Sequence, residues 1–178
     1  MAMKLEVAVV PVSDVDRARA FYKSPGWRED IDHVAGDNFR VVQFTPPGSE
    51  ASNIIGKGIT EAMPGSSQGL QLVVADIEAA RAELLGRGVK VGELFHDKGG
   101  VFYHVGTEWQ VVGPDPNRGN YGSFAKFSDP DGNGWVIQEV MPLAPSRARI
   151  VSGVTNPRPN GRGRPPGSRP RACSTAIR

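Results

Sequence analysis

The chain has 178 residues, of which 39% are hydrophobic and 22% charged, and this supplies enough apolar side chain for a folded core. Its apolar stretches fall far short of the roughly 20 residues of a membrane-spanning helix, and no secretory signal is recognisable, so we expect a cytoplasmic protein without membrane contact. The single cysteine, Cys173, excludes an intrachain disulfide and a thiolate metal cluster within one chain.

The net charge of +2 is distributed unevenly along the chain. Residues 143–178 contain eight arginines and no lysine, aspartate or glutamate, which leaves a net charge of −6 on residues 1–142. Because this Arg-, Pro- and Gly-rich stretch has little to bury, residues 142–178 are predicted to be a disordered tail. Arginines neutralise phosphates without a fold, so one alternative function is nucleic-acid association through the tail, although the tail lacks aromatic residues for base stacking.

A first structural module is predicted over residues 4–56. It begins with a β-branched apolar run at 7–12, which predicts a strand, and Ser13 then caps a helix with an acidic first turn. Apolar positions recur on one face of this helix, at Val15, Ala18 and Tyr22. Three further strands are predicted at 27–34, 39–44 and 52–55. The order of elements is β-α-β-β-β.

The same order returns in a second module over residues 69–141, after a linker at 57–68. Asp14 and Gly26, at the two ends of the first helix, recur 62 residues later as Asp76 and Gly88. The strands of this module are predicted at 70–74, 89–95, 121–127 and 134–140. An insert at 96–120 is too long for a hairpin loop and rich in aromatic residues, so we expect it to be ordered and functional.

Three segments carry a resemblance to a known family: VAVVPVSDVDRARAFY, GLQLVVADIEAARAELLGRGV and FSDPDGNGWVIQEV. In this order they resemble the vicinal oxygen chelate superfamily, which includes glyoxalases, bleomycin-resistance proteins and extradiol dioxygenases. The resemblance implies an α+β fold in which two βαβββ modules form a curved open cup, often completed by a second subunit. We therefore expect a homodimer that binds a small molecule. Many members also hold a divalent metal at the floor of the cup.

The positions at which the resemblance implies metal ligands hold other residues in this chain. Val7 and Leu70 stand where the resemblance implies histidines, and Val136 stands where it implies a carboxylate. The position equivalent to Val136 in the first module is Ser52. Hydrocarbon side chains do not ligate metals, and one hydroxyl does not hold Mg²⁺, Zn²⁺ or Fe²⁺ alone. We therefore expect no metal and no other cofactor, and an apolar floor formed by these four residues. Strand alternation places Glu139 on the opposite face from Val136, so it does not replace the missing carboxylate.

Other residues are candidates for contacts with a ligand. Polar side chains on predicted strands can receive its polar end, and these are Gln138, Arg40, Gln43 and Lys126. Phe102 and Trp109 of the insert can cover an apolar portion. The catalytic candidates are two imidazoles and a phenol of the insert: His96, His104 and Tyr103.

The favoured interpretation is a glyoxalase/bleomycin-resistance-like protein that binds a small organic molecule in an apolar cup without the family's metal. Such a protein either sequesters its ligand or acts on it by acid–base chemistry of the insert histidines. The alternative is a divalent-metal-dependent isomerase, lyase or dioxygenase, with ligands drawn from His96, His104 and Gln138. Because these interpretations remain open, the sequence leaves the chain's status as an enzyme undecided.

Overall fold

The computed structural model describes residues 1–100 and 103–141. Within them the chain forms β1 (Val7–Val9), α1 (Val15–Lys23), β2 (Arg28–Val34), β3 (Arg40–Thr45), β4 (Ser52–Lys57), β5 (Leu70–Val74), α2 (Ile77–Gly86), β6 (Phe95–Asp97), β7 (Gln110–Val112), β8 (Ser123–Ser128) and β9 (Gly134–Glu139). Neither helix of this described part has the length and apolar character needed to cross a membrane. The predicted tail at 142–178 lies outside the described residues.

The strands form two sheets of equivalent topology, one in each module. Their strand orders are β1-β4-β3-β2 and β5-β9-β8-β6-β7. In each module the first strand runs parallel to the last, and the strands that follow the helix pair antiparallel. The prediction of an α+β fold with two βαβββ modules is confirmed, and β7 is an addition from the insert.

Both helices have an aspartate as their N-cap, directly before the first helical residue. Asp14 is the N-cap of α1 and accepts a hydrogen bond from the backbone N–H of Arg17 at 3.0 Å, and Asp76 caps α2 in the same way. A carboxylate at this place satisfies an otherwise unpaired N–H and lies at the positive end of the helix dipole. The predicted cap Ser13 is therefore wrong by one residue, and its hydroxyl instead donates to Asp131.

The second module departs from prediction at its second strand. In place of a strand at 89–95, the structure has an isolated bridge between Val91 and Phe127, and β6 begins only at Phe95. Arg81 of α2 donates to the carbonyl of Gly92 at 2.7 Å, while the N–H of Gly92 donates to the carbonyl of Lys126 at 2.8 Å. The insert then returns to the sheet, because β7 pairs antiparallel with β6.

One buried core draws on both modules. Its members come from the helices and from the strand faces that the helices cover: Val10, Ala18, Tyr22, Trp27, Val42, Phe44, Ile55, Ile77, Val89, Val91, Ala125, Phe127, Trp135 and Ile137. The ring of Tyr22 lies at its centre, 5.2 Å from Trp27, 5.8 Å from Phe44 and 6.1 Å from Trp135 between centroids. We call the opposite side of each sheet, which neither α1 nor α2 covers, its open face.

The hairpin between β8 and β9 joins the second module to the first. The carboxylate of Asp129 accepts hydrogen bonds from the backbone N–H groups of Asp131 and Asn133, and from the hydroxyl of Tyr22 at 3.0 Å. The side chain of Asn133 donates to the carbonyl of Pro11 at 2.9 Å. The polar residues of the DPDGN motif thus form a structural contact between the modules.

Candidate functional site

An aromatic cluster occupies the open face of the second sheet. Because alternate residues of a strand share a face, β6, β8 and β9 place Phe95, Phe124 and Val136 together there. The rings of Phe95 and Phe124 stack at 5.5 Å, and Tyr103 of the insert packs edge-on against both. Val136 is only 3% exposed. The position of the family's carboxylate is therefore a buried apolar contact.

Lys126 lies on the same face as this cluster. Its ammonium is 4.9 Å from the ring centroid of Phe95 and 4.8 Å from that of Tyr103, and burial lowers the pKa of Lys126 below its ordinary value. Two open cavities of about 430 Å³ each border this lysine. One is lined by residues that include Tyr103, Val105, Ser128 and Val136, and the other by residues that include Phe95, Thr107, Gln110 and Val112.

A buried carboxylate holds the insert histidine His104. The side chain of Asp97 accepts the backbone N–H groups of Gly99 and His104, both at 2.7 Å, and lies 3.0 Å from Nδ1 of the His104 ring. Burial alone would raise the pKa of Asp97, but these hydrogen bonds outweigh burial and lower it. In a neutral ring, a proton on Nδ1 donates to the carboxylate and leaves Nε2 as an acceptor. The ring stacks on Trp109 at 4.5 Å.

The open face of the first sheet is polar. Ser52 lies 2.7 Å from the hydroxyl of Thr45 and accepts a hydrogen bond from Gln43 at 3.1 Å. The hydroxyl of Thr45 donates in turn to Asp30, and this bond, followed by that from Arg28, lowers the pKa of the Asp30 carboxyl. The network borders an open cavity of about 420 Å³. The two sheets therefore present faces of different chemistry.

The four residues of the predicted floor do not lie together. Val7 and Ser52 are register partners on β1 and β4 of the first module, whereas Val136 belongs to the aromatic cluster of the second. Leu70 requires a correction, because it packs against the core on the helix side. The β5 residue paired with Val136 is Gln71. A shift of one residue along a strand moves a side chain to the other face.

Arg40 also requires a correction, since its guanidinium does not face a cavity. It lies on the helix side of β3 and forms ion pairs of 2.9 Å with Asp16 of α1 and Asp32 of β2. Gln138 is 4% exposed, and its amide donates to the carbonyl of Tyr121 at 3.0 Å. Arg40 therefore links β3 to α1 and β2, and Gln138 holds the loop before β8 by a hydrogen bond.

The residues predicted in the insert make separate contacts. Nδ1 of His96 lies 3.0 Å from the carbonyl oxygen of Gly113, while His104 pairs with Asp97. Tyr103 belongs to the aromatic cluster, and Phe102 lies outside the described residues. Sequence reasoning missed Phe95 and Phe124 as members of the site, because their proximity depends on the register between strands. The catalytic roles of His96, His104 and Tyr103 and the ligand-binding role of Trp109 remain predictions.

The residues present do not fit the metal that the fold family implies. In residues 1–100 and 103–141 there is no group of three or more His, Cys, Asp or Glu side chains that could hold a metal ion. Val7 and Val136, where the resemblance implies two of the ligands, are hydrocarbon side chains, and the β5 residue paired with Val136 is the amide Gln71. Glu139 is committed elsewhere, because it accepts hydrogen bonds from Arg118 at 2.6 Å and from a backbone N–H of α2.

Comparison with solved structures finds proteins of similar fold, although no family model and no curated protein matches the chain. TnmS3, an antibiotic binding protein from Streptomyces sp. CB03234, is 29% identical with a TM-score of 0.57, over 79% of this chain and 98% of that one. A glyoxalase/bleomycin resistance protein from the same organism is 29% identical with a TM-score of 0.55, over 76% of this chain and 100% of that one. A glyoxalase/bleomycin resistance protein/dioxygenase superfamily member from Sphaerobacter thermophilus DSM 20745 is 26% identical with a TM-score of 0.57, over 78% of this chain and 98% of that one. With two βαβββ modules and these matches, the chain has the vicinal oxygen chelate fold and is similar to proteins of the glyoxalase/bleomycin-resistance/dioxygenase superfamily.

Proposed function

We propose that the chain binds a small organic molecule with an aromatic or other apolar portion at the open face of the second sheet. The observation that carries this proposal is the aromatic cluster of Phe95, Phe124, Tyr103 and Val136 beside cavities of about 430 Å³. That volume is within the range of small-molecule pockets. The similarity to TnmS3, described as an antibiotic binding protein, supports the same class of function. Binding would act by sequestering the ligand.

The apolar contribution to binding is limited while the cavities are open. Removing about 200 Å² of apolar ligand surface from water is worth roughly 5 kcal/mol at 25 cal/mol per Å². Association itself costs several kcal/mol, so an open half-site binds such a molecule weakly. Tight binding therefore needs further enclosure of the ligand.

We infer that a second copy of the chain supplies this enclosure. β1 and β5 are each at the end of a sheet, so each has one edge without a strand partner in the described part of the chain. Val9 and Val73 on these strands are 40% and 66% exposed. Unpaired apolar edges favour association. A homodimer that pairs the β1 edge of one protomer with the β5 edge of its partner would bring the polar open face of one beside the aromatic open face of the other.

A substitution in the edge tests the dimer. Val73→Lys places a charge in the proposed contact, and we expect a monomer by sedimentation together with weaker ligand binding. Val34→Lys is the matched control, because Val34 is 59% exposed on β2, the outer strand of the first sheet, and lines none of the described cavities. A wild-type protein that sediments as a monomer at high micromolar concentration would contradict the dimer.

Binding itself is measured with the neutral fluorescent probe N-phenyl-1-naphthylamine. We expect saturable binding, and at 100 times its Kd the probe should add about 2.7 kcal/mol of stability, or roughly 5 to 10 °C in Tm. Ser128 is exposed at the end of β8 and lines one cavity, so Ser128→Trp should fill that cavity and weaken binding. Ser66→Trp is the control on an exposed loop. Equal binding by both variants would contradict the location, and no saturable binding to the wild type would contradict the function.

A second candidate function is acid–base catalysis by His104. The specific observation is the buried carboxylate of Asp97, which lies 3.0 Å from Nδ1 of this ring and fixes its orientation. The test is isomerisation of the hemithioacetal of methylglyoxal and glutathione by wild type, His104→Gln and the control His33→Gln on exposed β2. Turnover lost only in His104→Gln would support catalysis, and equal rates in all three would reject it for this substrate.

A further inference from the structure

We propose that the ligand of the second module carries an acidic group, such as a carboxylate, a sulfonate or an ionised phenol, and that Lys126 binds it. This inference rests on the proposed function, because it specifies the chemistry of the molecule bound at the open face. Lys126 lies on β8 opposite Val136, beside the aromatic cluster, and borders both cavities. A ligand in either cavity would therefore reach its ammonium.

The environment of Lys126 differs from that of the other cations near the protein interior. Arg40 pairs with Asp16 and Asp32, and Arg118 pairs with Glu78 and Glu139. No carboxylate in residues 1–100 and 103–141 forms an ion pair with Lys126, whose contacts are the faces of two aromatic rings.

Ring faces satisfy this charge only in part. A cation over an aromatic ring is stabilised by roughly 0.5 to 2 kcal/mol, but an ammonium also has three N–H donors, for which an aromatic face is a poor acceptor. Burial of Lys126 lowers its pKa, which indicates that the charged form is incompletely compensated. An anionic oxygen from a ligand would accept these donors and supply the missing negative charge.

The charge of residues 1–142 makes this lysine important for an acidic ligand. Residues 1–142 carry a net charge of −6, so their overall field repels anions. Glu93 lines the cavity beside Phe95, whereas the described residues that line the cavity beside Tyr103 include no carboxylate. In this second cavity Lys126 offsets the repulsion locally. It would select molecules in which an acidic group lies next to an aromatic ring, because the ammonium itself lies within 5 Å of two rings.

The test compares two probes that differ only in the acidic group. 8-Anilinonaphthalene-1-sulfonate carries a sulfonate that N-phenyl-1-naphthylamine lacks. Lys126→Met should weaken binding of the sulfonate about tenfold, and leave binding of the neutral probe within about twofold. Lys126→Arg should restore much of the sulfonate affinity. Lys90→Met removes one charge from an exposed position of the same module and should change neither.

The outcomes separate the two proposals. If the wild type binds neither probe, the proposed function fails and this inference fails with it. If the neutral probe binds, but the sulfonate binds equally well to wild type and Lys126→Met, only the role of Lys126 is overturned.

A second measurement uses the unmodified protein. Sulfonate affinity should fall as the pH rises through the lowered pKa of Lys126, before the ordinary value of 10.5 is reached, while neutral-probe affinity stays constant. A sulfonate affinity that stays constant well above pH 10.5, where a lysine has lost its proton, would overturn the inference even if the Lys126 variants fail to fold.

Discussion

The contact between the modules at Tyr22 yields a quantitative prediction for stability. Tyr22 is fully buried, donates its hydroxyl to Asp129 at 3.0 Å and accepts from the indole N–H of Trp135 at 3.2 Å. Tyr22→Phe removes a hydrogen bond to a carboxylate, worth about 1.5 to 3 kcal/mol, and leaves the buried indole N–H unpaired. Asp129 keeps the hydrogen bond from the Asn133 side chain at 2.8 Å, so its carboxylate still has a donor in the variant. The expected loss in free energy of unfolding is roughly 2 to 4 kcal/mol.

Urea unfolding followed by circular dichroism measures this loss. Tyr121→Phe is the matched control, because Tyr121 is 46% exposed and the same change there should cost less than about 0.5 kcal/mol. A loss for Tyr22→Phe below about 1 kcal/mol, or equal to the control, would refute the assignment of the DPDGN hairpin as a contact that stabilises the joined modules.

The pH dependence gives a second check on the same residue. Burial, followed by the nearby charge of Asp129, raises the pKa of Tyr22 above the ordinary value of 10.0. Above this pH the unfolded tyrosine ionises while the folded one stays neutral, so the wild type loses stability as the pH rises. Tyr22→Phe has no such group, so the difference in free energy of unfolding between wild type and Tyr22→Phe should narrow above pH 10. A constant difference would contradict the buried neutral hydroxyl.

Three further predictions concern acid stability, the tail and the strand faces. Hydrogen bonds from Arg19 lower the pKa of the Glu29 carboxyl from 4.5 to about 2. The contribution of Glu29 to stability is therefore present above pH 4.5 and is lost as the pH falls toward 2. The difference in free energy of unfolding between wild type and Glu29→Gln should vanish over that range, and a difference that persists would reject the pairing. Deletion of residues 143–178 should leave Tm within a few degrees, because this composition buries little apolar area, and a larger loss would show that the tail stabilises the fold. Gln71→His with Val136→Glu should raise Ni²⁺ affinity measured by calorimetry, since the two residues are register partners, whereas Leu70→His with Val136→Glu should not. Equal affinities would contradict the assigned faces.

The sequence by itself determined the elements that depend on local patterns. The repeat of 62 residues from Asp14 to Asp76 marks the starts of two helices, and both aspartates are the N-caps. Strand alternation likewise separates Val136 from Glu139, which the structure places on opposite faces of β9. These features are local because helical and extended backbones impose fixed periods on the side chains of one segment.

Some information about the site was present in the sequence and was not used. In the segment Leu70–Gln71–Leu72 the apolar residues alternate with a polar one, and this pattern places Leu70 in the core and Gln71 on the open face. The assignment of Leu70 to the floor followed the resemblance instead. Alternation within a strand is thus a better guide to its faces than a count of residues from a motif.

The tertiary structure alone decided which side chains meet between segments. Lys126 of β8 contacts the ring of Tyr103 in the insert. Arg40 forms ion pairs with carboxylates of α1 and β2 and does not contribute to a described cavity. Asp97 becomes a partner of His104 because the insert folds back onto β6. Such contacts depend on the register between strands and on the packing of helices, and neither leaves a period in the sequence of one segment. The four residues that the sequence predicted as one apolar floor are therefore divided among a polar open face, an aromatic open face and the core.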